Sequence, residues 1–360
     1  MKAMLFPYTY VPHKMEKMQG FIDFIFFAVW CQAPSKGPYR LELFASNPEL
    51  FEVMSEFHFD DSKGAEFFAG HVERIYTLFA ALSSCQIEQL RLWYVANNDI
   101  ERVCSNDPFV PIKRYADFPT EIKDLRDQLA SFFKGLYSNV EMAALKKRIG
   151  DIKDHYRAWE AVNKRGKCPF CGISDLLGQH HSKREAYDHY LPKALYPFNS
   201  INFKNLAPAC PHCNSSYKTS KDVAYPVKDP AGAQVRRRAF YPYSVVPYEL
   251  TISFNLDKVN LSSLEPQHVS VQFGPAELQE QIDTWRDLYG IDERYKAKLC
   301  AENDGKYWLE QAHGEWKELG RDPQELLTQV LRNAQKAPYA ECNFLKAPFL
   351  KACAANGAFS

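Results

Sequence analysis

Four cysteines form two pairs with the same short spacing, in the runs Cys168-Pro169-Phe170-Cys171 and Cys210-Pro211-His212-Cys213. Each short turn holds two sulfurs at the separation that a closed tetrahedral zinc site requires. The same residues are also compatible with a rubredoxin-like iron site, a reducible disulfide pair or ordinary thiols. A closed site has no open coordination position, so any reaction must involve other residues. We predict a structural Zn²⁺ whose ligands are Cys168, Cys171, Cys210 and Cys213.

The 38 residues between Cys171 and Cys210 form a longer connection than a minimal zinc ribbon needs. They contain the run Tyr187-Asp188-His189-Tyr190-Leu191-Pro192-Lys193 and, further on, Asn205. Another asparagine, Asn214, directly follows Cys213, the fourth of the paired cysteines. An isolated Asp-His dipeptide usually lies on the surface without a catalytic role, so its interpretation depends on the other residues of the segment.

The order and spacing of Asp188-His189, Asn205, Asn214 and Lys218 resemble the HNH endonuclease family, over the segment 168–221. The resemblance implies a ββα-metal unit with the histidine at the end of the first strand, the central asparagine at the end of the second, and the third letter on the following helix. The three letters are then His189, Asn205 and Asn214, with Asn in place of the last His. An amide oxygen ligates a hard cation as an imidazole does, so this departure concerns metal preference more than activity.

The implied reaction is hydrolysis of a phosphodiester bond, which needs an activated water and stabilisation of charge on the phosphate and the leaving oxygen. A neutral His189 would accept a proton from water as general base, since the unperturbed pKa of histidine is about 6.5. Asn205 would orient the ring or the backbone of that histidine. Asp188 and Asn214 would supply oxygen ligands to one Mg²⁺ or Mn²⁺, which keeps positions open for substrate.

Positive charge is concentrated around this segment, although Lys and Arg (44) equal Asp and Glu (44) over the whole chain. Residues 160–240 contain 13 Lys or Arg against 6 Asp or Glu, and a local basic surface attracts a phosphate backbone. A solvated charged face with no ligand is the alternative. The predicted nucleic-acid contacts are Lys193, Lys218, Lys221, Arg236, Arg237 and Arg238, and further candidates are Lys164, Arg165, Lys167, Lys183 and Arg184.

The composition indicates a globular protein of two or three domains, with 360 residues and 46% hydrophobic content. The other six cysteines have no paired spacing and no secretory signal pattern opens the chain, which favours a reducing cytoplasm. The apolar run Phe21–Cys31 is too short to cross a bilayer, which needs roughly 20 residues, so we expect no membrane contact. Neither a Walker loop nor a dinucleotide fingerprint is present.

The predicted fold class is α+β, with a central zinc-stapled HNH module between two larger regions. Region 1–160 is predicted to be mainly helical with an initial strand pair, 161–228 to be the zinc-bound nuclease module, and 229–360 to mix strands and helices. The strand pair comprises Phe21–Cys31 and Tyr39–Phe44. Apolar residues at helical spacing predict helices over 67–82, 122–136, 140–163, 278–288, 295–313 and 323–335, and alternation predicts strands over 248–256 and 269–273. The prolines and glycine of 226–247 predict an irregular connector.

The resemblance leads us to predict a Zn²⁺-stabilised and Mg²⁺- or Mn²⁺-dependent endonuclease that cuts DNA. A stand-alone nuclease module with long flanks is typical of anti-phage defence, where such a protein can work beside a partner ATPase or as an oligomer. An alternative of another class is a catalytically inert zinc module that binds nucleic acid or protein. RNA is an alternative substrate, because a metal and a general base act on the phosphate and do not read the sugar.

Overall fold

The computed structural model describes residues 2–6, 8–226, 235–257, 263–318, 320 and 322–358, in which a first strand is followed by a run of helices, then by four strands and then by a second run of helices. The strands are β1 Lys2–Leu5, β2 Ala186–His189, β3 Leu206–Ala209, β4 Tyr248–Leu256 and β5 Val269–Gly274. The helices are α1 Lys17–Phe24, α2 Ala33–Lys36, α3 Pro48–His58, α4 Lys63–Ala80, α5 Ser84–Asn98, α6 Ile100–Cys104, α7 Lys123–Asn139, α8 Ala143–Ile149, α9 Ile152–Val162, α10 Gln279–Tyr289, α11 Ile291–Cys300, α12 Tyr307–Lys317, α13 Pro323–Lys336 and α14 Asn343–Ala355. The mixed α+β class with a helical N-terminal region is confirmed.

Local capping explains where the N-terminal helices begin. The side chains of Asn47, Ser62 and Ser83 each accept a hydrogen bond from a backbone N–H in the first turn of α3, α4 and α5. Helices α4 and α7 then pack their apolar stripes together, and Phe68 and Phe132 meet edge to face in the core. The helices predicted over 67–82 and 122–136 are therefore confirmed.

The predicted initial strand pair is wrong. Phe21–Cys31 lies in α1 and in the π- and 3₁₀-helical turns that continue it, and the second predicted strand contains the 3₁₀-helix Leu41–Phe44. The first segment is surrounded by other helices, so its apolar residues occupy nearly all sides and mask the helical period. A short, continuous apolar run does not distinguish a buried strand from a buried helix.

Two predicted helices are each interrupted. The stretch 140–163 forms α8 and α9, separated at Gly150, whose φ of +88° ends the first helix. The stretch 295–313 lies in α11 and α12, which are joined by the π-helix Glu302–Lys306. A Cβ on Gly305 would lie 2.0 Å from the Leu299 carbonyl oxygen, so only glycine fits this close approach.

The C-terminal region contains a three-stranded antiparallel sheet in the order β1-β4-β5. The strands predicted over 248–256 and 269–273 and the helices predicted over 278–288 and 323–335 are confirmed as β4, β5, α10 and α13. Part of the predicted connector, including Pro230 and Gly232, lies outside the described residues. β1 comes from the N-terminus, and the Phe6 N–H donates to the Pro169 carbonyl, so the first residues link the sheet to the first cysteine turn.

Among the described residues, no helix is both long enough and apolar enough to span a lipid bilayer.

Candidate metal centre and nuclease site

The four paired cysteines converge into one buried cluster. The ligand atoms of Cys168, Cys171, Cys210 and Cys213 all lie within 4.8 Å of one another, and the Cys171 and Cys210 sulfurs are 4.0 Å apart. Tetrahedral zinc with Zn–S bonds of about 2.3 Å separates its sulfurs by about 3.8 Å. Backbone N–H groups also point at the sulfurs, since Cys213 N–H donates to Cys210 Sγ at 3.4 Å. The cluster is therefore able to hold a zinc ion.

The C-terminal region supplies a cation next to this cluster. The Arg294 guanidinium, on α11, donates to Cys213 Sγ at 3.1 Å and to Ser174 Oγ at 3.5 Å. Four thiolates around Zn²⁺ carry a net negative charge, and a buried guanidinium offsets part of it. In the first cysteine turn, the Phe170 carbonyl accepts from the Trp285 indole at 2.6 Å and the Cys171 carbonyl accepts from the Tyr295 hydroxyl at 2.9 Å. The cysteine cluster is thus also the place where helices α10 and α11 pack against the two cysteine turns.

Two strands and a short helix carry the polar residues. β2 and β3 pair antiparallel with Asp188 opposite Ala207 and His189 opposite Leu206. The chain then passes through the second cysteine turn into the π-helix His212–Lys218, which contacts β2 and carries Asn214. The order is strand, strand, helix, and His189 is the last residue of the first strand.

Asn205 lies before the second strand, in the 3₁₀-turn Phe203–Asn205, and not at its end as the resemblance implied. In an antiparallel hairpin the start of the second strand lies beside the end of the first, so Asn205 is still close to His189. Its fully buried amide accepts from Leu191 N–H at 2.7 Å and donates to the carbonyls of Leu191 and Asn199. It therefore closes the loop that joins the strands, which is a positioning role.

His189 is partly buried and its ring is held on one side. Its Nε2 donates to the Ser200 carbonyl at 3.0 Å, because a carbonyl can only accept. The neutral ring must then carry its proton on Nε2 and a lone pair on Nδ1. Burial, with repulsion from Lys193, lowers the pKa of His189 from 6.5 to about 3. The ring also packs edge to face against Tyr137 of α7, at 4.7 Å between centroids.

Asp188 is buried and forms an ion pair with Lys218. The Lys218 Nζ donates to Asp188 Oδ1 at 2.9 Å and to the His189 carbonyl at 2.9 Å, and both side chains are almost fully inaccessible. Burial raises the pKa of Asp188, and Lys218 opposes that shift. Asp188 Oδ2 has no hydrogen-bond partner in the described part of the protein although it is buried. A buried carboxylate oxygen without a donor is a ligand position that can be filled.

The predicted nucleic-acid contacts are distributed unevenly. Lys218 is buried in its ion pair, so it presents no charge to the surface. Lys193 donates to the Lys134 carbonyl and lies 5.6 Å from the Tyr137 ring centroid, and burial lowers its pKa. Lys221 donates to the Asp287 carbonyl. Lys193 therefore lies beside Tyr137, the residue whose ring packs on His189.

The run 236–238 is engaged mainly inside the protein. Arg236 donates to the carbonyls of Asp107 and Val110, and Arg237 pairs with Asp287 at 2.8 Å and donates to the Asp222 carbonyl. Arg238 is more exposed and lies 3.7 Å from a Glu280 carboxylate oxygen. These arginines fasten the segment after residue 235 to the rest of the fold, so Arg236 and Arg237 present little free charge to a nucleic acid.

Helix α5 holds the loop between the two strands. Asn97 donates to the Pro197 carbonyl at 3.2 Å and accepts from the Lys113 N–H, while Asn199 donates to the Asn97 carbonyl. Asn202 likewise donates to the backbone of Asn98. The loop that contains the Ser200 carbonyl is thus fixed by the N-terminal region, which positions the His189 ring from outside the motif.

Three contributors to this site, Tyr137, Ser200 and Arg294, were not predicted from the sequence. Tyr137 and Arg294 come from the flanks, and Ser200 acts through its backbone carbonyl, which any residue type provides. His155 of α9, which contacts the Tyr187 hydroxyl at 2.5 Å and packs on Phe203, was not predicted either. No local spacing signals any of these residues.

No protein-family model matches the chain, and neither the curated proteins nor the solved structures contain a significant match.

Proposed function

We propose that this protein is a metal-dependent endonuclease of the HNH type that hydrolyses phosphodiester bonds of DNA. The observation that supports it best concerns Asp188 and His189, the last two residues of β2. The histidine is held through Nε2 with Nδ1 left as a base, and the neighbouring carboxylate has a buried oxygen without a hydrogen-bond partner in the described part of the chain. These are the two functions that the reaction requires next to each other, a proton acceptor and a metal ligand.

His189 removes a proton from the attacking water in this proposal. Its low pKa keeps the ring neutral at physiological pH, so it needs no prior deprotonation. A base with so low a pKa is weak, but a bound phosphate would place negative charge near the ring, which favours the imidazolium form and raises the pKa. Tyr137 and the Ser200 carbonyl keep the ring in one orientation while this happens.

Asp188 and Asn214 are the residues that would hold the catalytic divalent ion. The unpaired Asp188 Oδ2 fits such a ligand role, and the Asn214 side chain, on the π-helix that contacts β2, makes no hydrogen bond to a described residue. Oxygen ligands of this kind suit Mg²⁺ or Mn²⁺. When bound, the ion would polarise the phosphate and stabilise charge on the leaving oxygen. In the structure, the Lys218 ammonium forms the ion pair with the Asp188 carboxylate.

The test is plasmid cleavage by the purified protein with Mg²⁺, Mn²⁺ or EDTA. We expect metal-dependent nicking or linearisation by the wild type and a loss of about 10²-fold or more in His189→Ala, the usual scale of a general base. His58→Ala is the matched control, because His58 is an exposed histidine on α3. Cleavage by His189→Ala at the wild-type rate would contradict the assignment. Absence of cleavage by the wild type in every metal would favour the inert binding module, and labelled RNA in parallel tests the other substrate.

A further inference from the structure

A cleft of about 440 Å³ lies between helix α9 and the segment 178–186 that leads into β2. Four of its lining residues are basic and one is acidic. The charged lining residues are Lys153, Arg157, Lys183, Arg184 and Glu160. The cleft therefore has a net positive charge in a protein whose overall formal charge is zero.

Helix α9 has two different faces, which explains the cleft. Residues at positions i, i+3, i+4 and i+7 share one face of a helix, and in α9 these positions from Lys153 to Glu160 line the cleft. The adjacent face contributes Ile152, His155 and Trp159 to the core. The core face fixes the helix and leaves the basic face directed at the segment before β2.

Most of the basic side chains of the cleft have no strong ion-pair partner among the described residues, so an anionic ligand could contact them. Lys153 and Lys183 are exposed and form no ion pair with a described residue. Arg157 lies 3.6 Å from the carboxylate of Asp154, but both side chains are more than half exposed, and such pairs contribute little. An anionic ligand would therefore not have to compete with a strong internal partner.

The cleft leads to His189 through Arg184. This half-buried arginine lines the cleft, donates to the Glu185 carbonyl at 2.9 Å and lies 5.7 Å from the ring centroid of Tyr187, which is two residues before His189 on β2. Along the backbone, Ala186 at the edge of the cleft is three residues before His189, which is about 10 Å in a strand. That distance equals the rise of roughly three base pairs along the axis of B-DNA.

We propose that this cleft binds the phosphate backbone of the DNA strand that is cut, a few nucleotides from the scissile bond. Lys153, Arg157 and Lys183 contact successive phosphates. Arg184 contacts the same strand between the cleft and His189. This inference rests on the proposed nuclease function and extends its substrate site to α9, a helix outside the 168–221 segment.

The test is binding of a short fluorescein-labelled DNA duplex of random sequence, measured by fluorescence anisotropy in EDTA so that no cleavage occurs. The variant is Lys153→Ala/Arg157→Ala/Lys183→Ala in the full chain. Removing one basic side chain that neutralises a phosphate is expected to reduce the salt slope of log Kd by about 1, hence by about 3 for the triple variant. At about 0.1 M salt, relative to a reference of about 1 M, the same counterion release corresponds to binding on the order of 10³-fold weaker.

Two further variants of this protein serve as a matched control and as an opposite test. Lys36→Ala/Lys63→Ala/Lys123→Ala removes the same charge from exposed sites elsewhere and should leave the salt slope within about 1 of the wild type. Glu160→Gln removes the acid from the cleft and should tighten binding. Equal weakening by both triple variants, or no effect of Glu160→Gln, would overturn the cleft. Because binding is measured without metal, the cleft can fail while cleavage persists, and cleavage can fail while cleft-dependent binding persists.

Discussion

The buried Lys218–Asp188 ion pair leads to a prediction about both stability and metal binding. In Lys218→Met the apolar stem is kept and the ammonium is removed, which leaves the Asp188 carboxylate buried without its partner. Breaking a buried pair from one side costs about 3–5 kcal/mol. The variant also loses the hydrogen bond to the His189 carbonyl. We therefore expect a loss at the upper part of that range at neutral pH without divalent metal.

Magnesium should reverse part of this loss. With Lys218 absent, neither oxygen of Asp188 has a donor among the described residues, so a divalent ion gains a ligand that is no longer neutralised. A ligand at 100 times its Kd stabilises the folded state by about 2.7 kcal/mol. We expect Mg²⁺ to raise the free energy of unfolding of Lys218→Met by more than it raises that of the wild type.

The assay is urea unfolding followed by tryptophan fluorescence, with and without Mg²⁺. Lys221→Met is the matched control, because Lys221 is a more exposed lysine 3.9 Å from an Asp287 carboxylate oxygen and should cost at most about 1 kcal/mol. Asp188→Asn/Lys218→Met removes both charges and should recover most of the stability without responding to Mg²⁺. Wild-type stability of Lys218→Met would refute the energetic reasoning, and an equal response of all variants to Mg²⁺ would refute Asp188 as a metal ligand.

Two other predictions concern the zinc centre and a buried histidine. Cys168→Ser should lower both the zinc content and the melting temperature, since structural zinc contributes folding free energy; an unchanged zinc content measured by atomic absorption would refute the assignment. His155 is buried, and burial, with repulsion from His13, lowers its pKa from 6.5 to about 3. The unfolded chain therefore binds the proton more readily, and the stability associated with His155 is full above pH 6.5 and falls between pH 6.5 and about 3. At pH 4.5 the loss is about 2.7 kcal/mol, so His155→Phe should lose less stability than the wild type between pH 7.5 and 4.5 in urea titrations, and an identical pH dependence would contradict this.

The elements of the C-terminal half that follow a clear period were predictable, and the first apolar run was not. Strand β4 alternates buried and exposed residues, because one face of the sheet is covered and the other is in water. Phe21–Cys31 is covered on most sides, so its sequence contains no contrast that a period could reveal. What surrounds a segment decides which pattern it shows, and that environment is a property of the whole fold.

The candidate site divides in the same way. The clustering of the four paired cysteines, the place of His189 at a strand end and the place of Asn214 on the helix that follows could be predicted from the sequence, because short cysteine turns and strand ends depend on short-range spacing. The partner of Asp188, the π-helical form of 212–218 and the support of the histidine by Tyr137 could not be predicted, since these contacts join residues that are 30 or more positions apart or depend on packing.

The sequence by itself therefore determined the types of residue available for chemistry and the local turns that present them. Only the tertiary structure decided which charges remain available to a ligand. Arg236 and Arg237 donate hydrogen bonds to internal carbonyls and to an aspartate. Lys153 and Lys183 stay exposed near the strand that carries His189. The physical reason is that a long basic side chain reaches several possible partners, and the packing of distant elements selects among them.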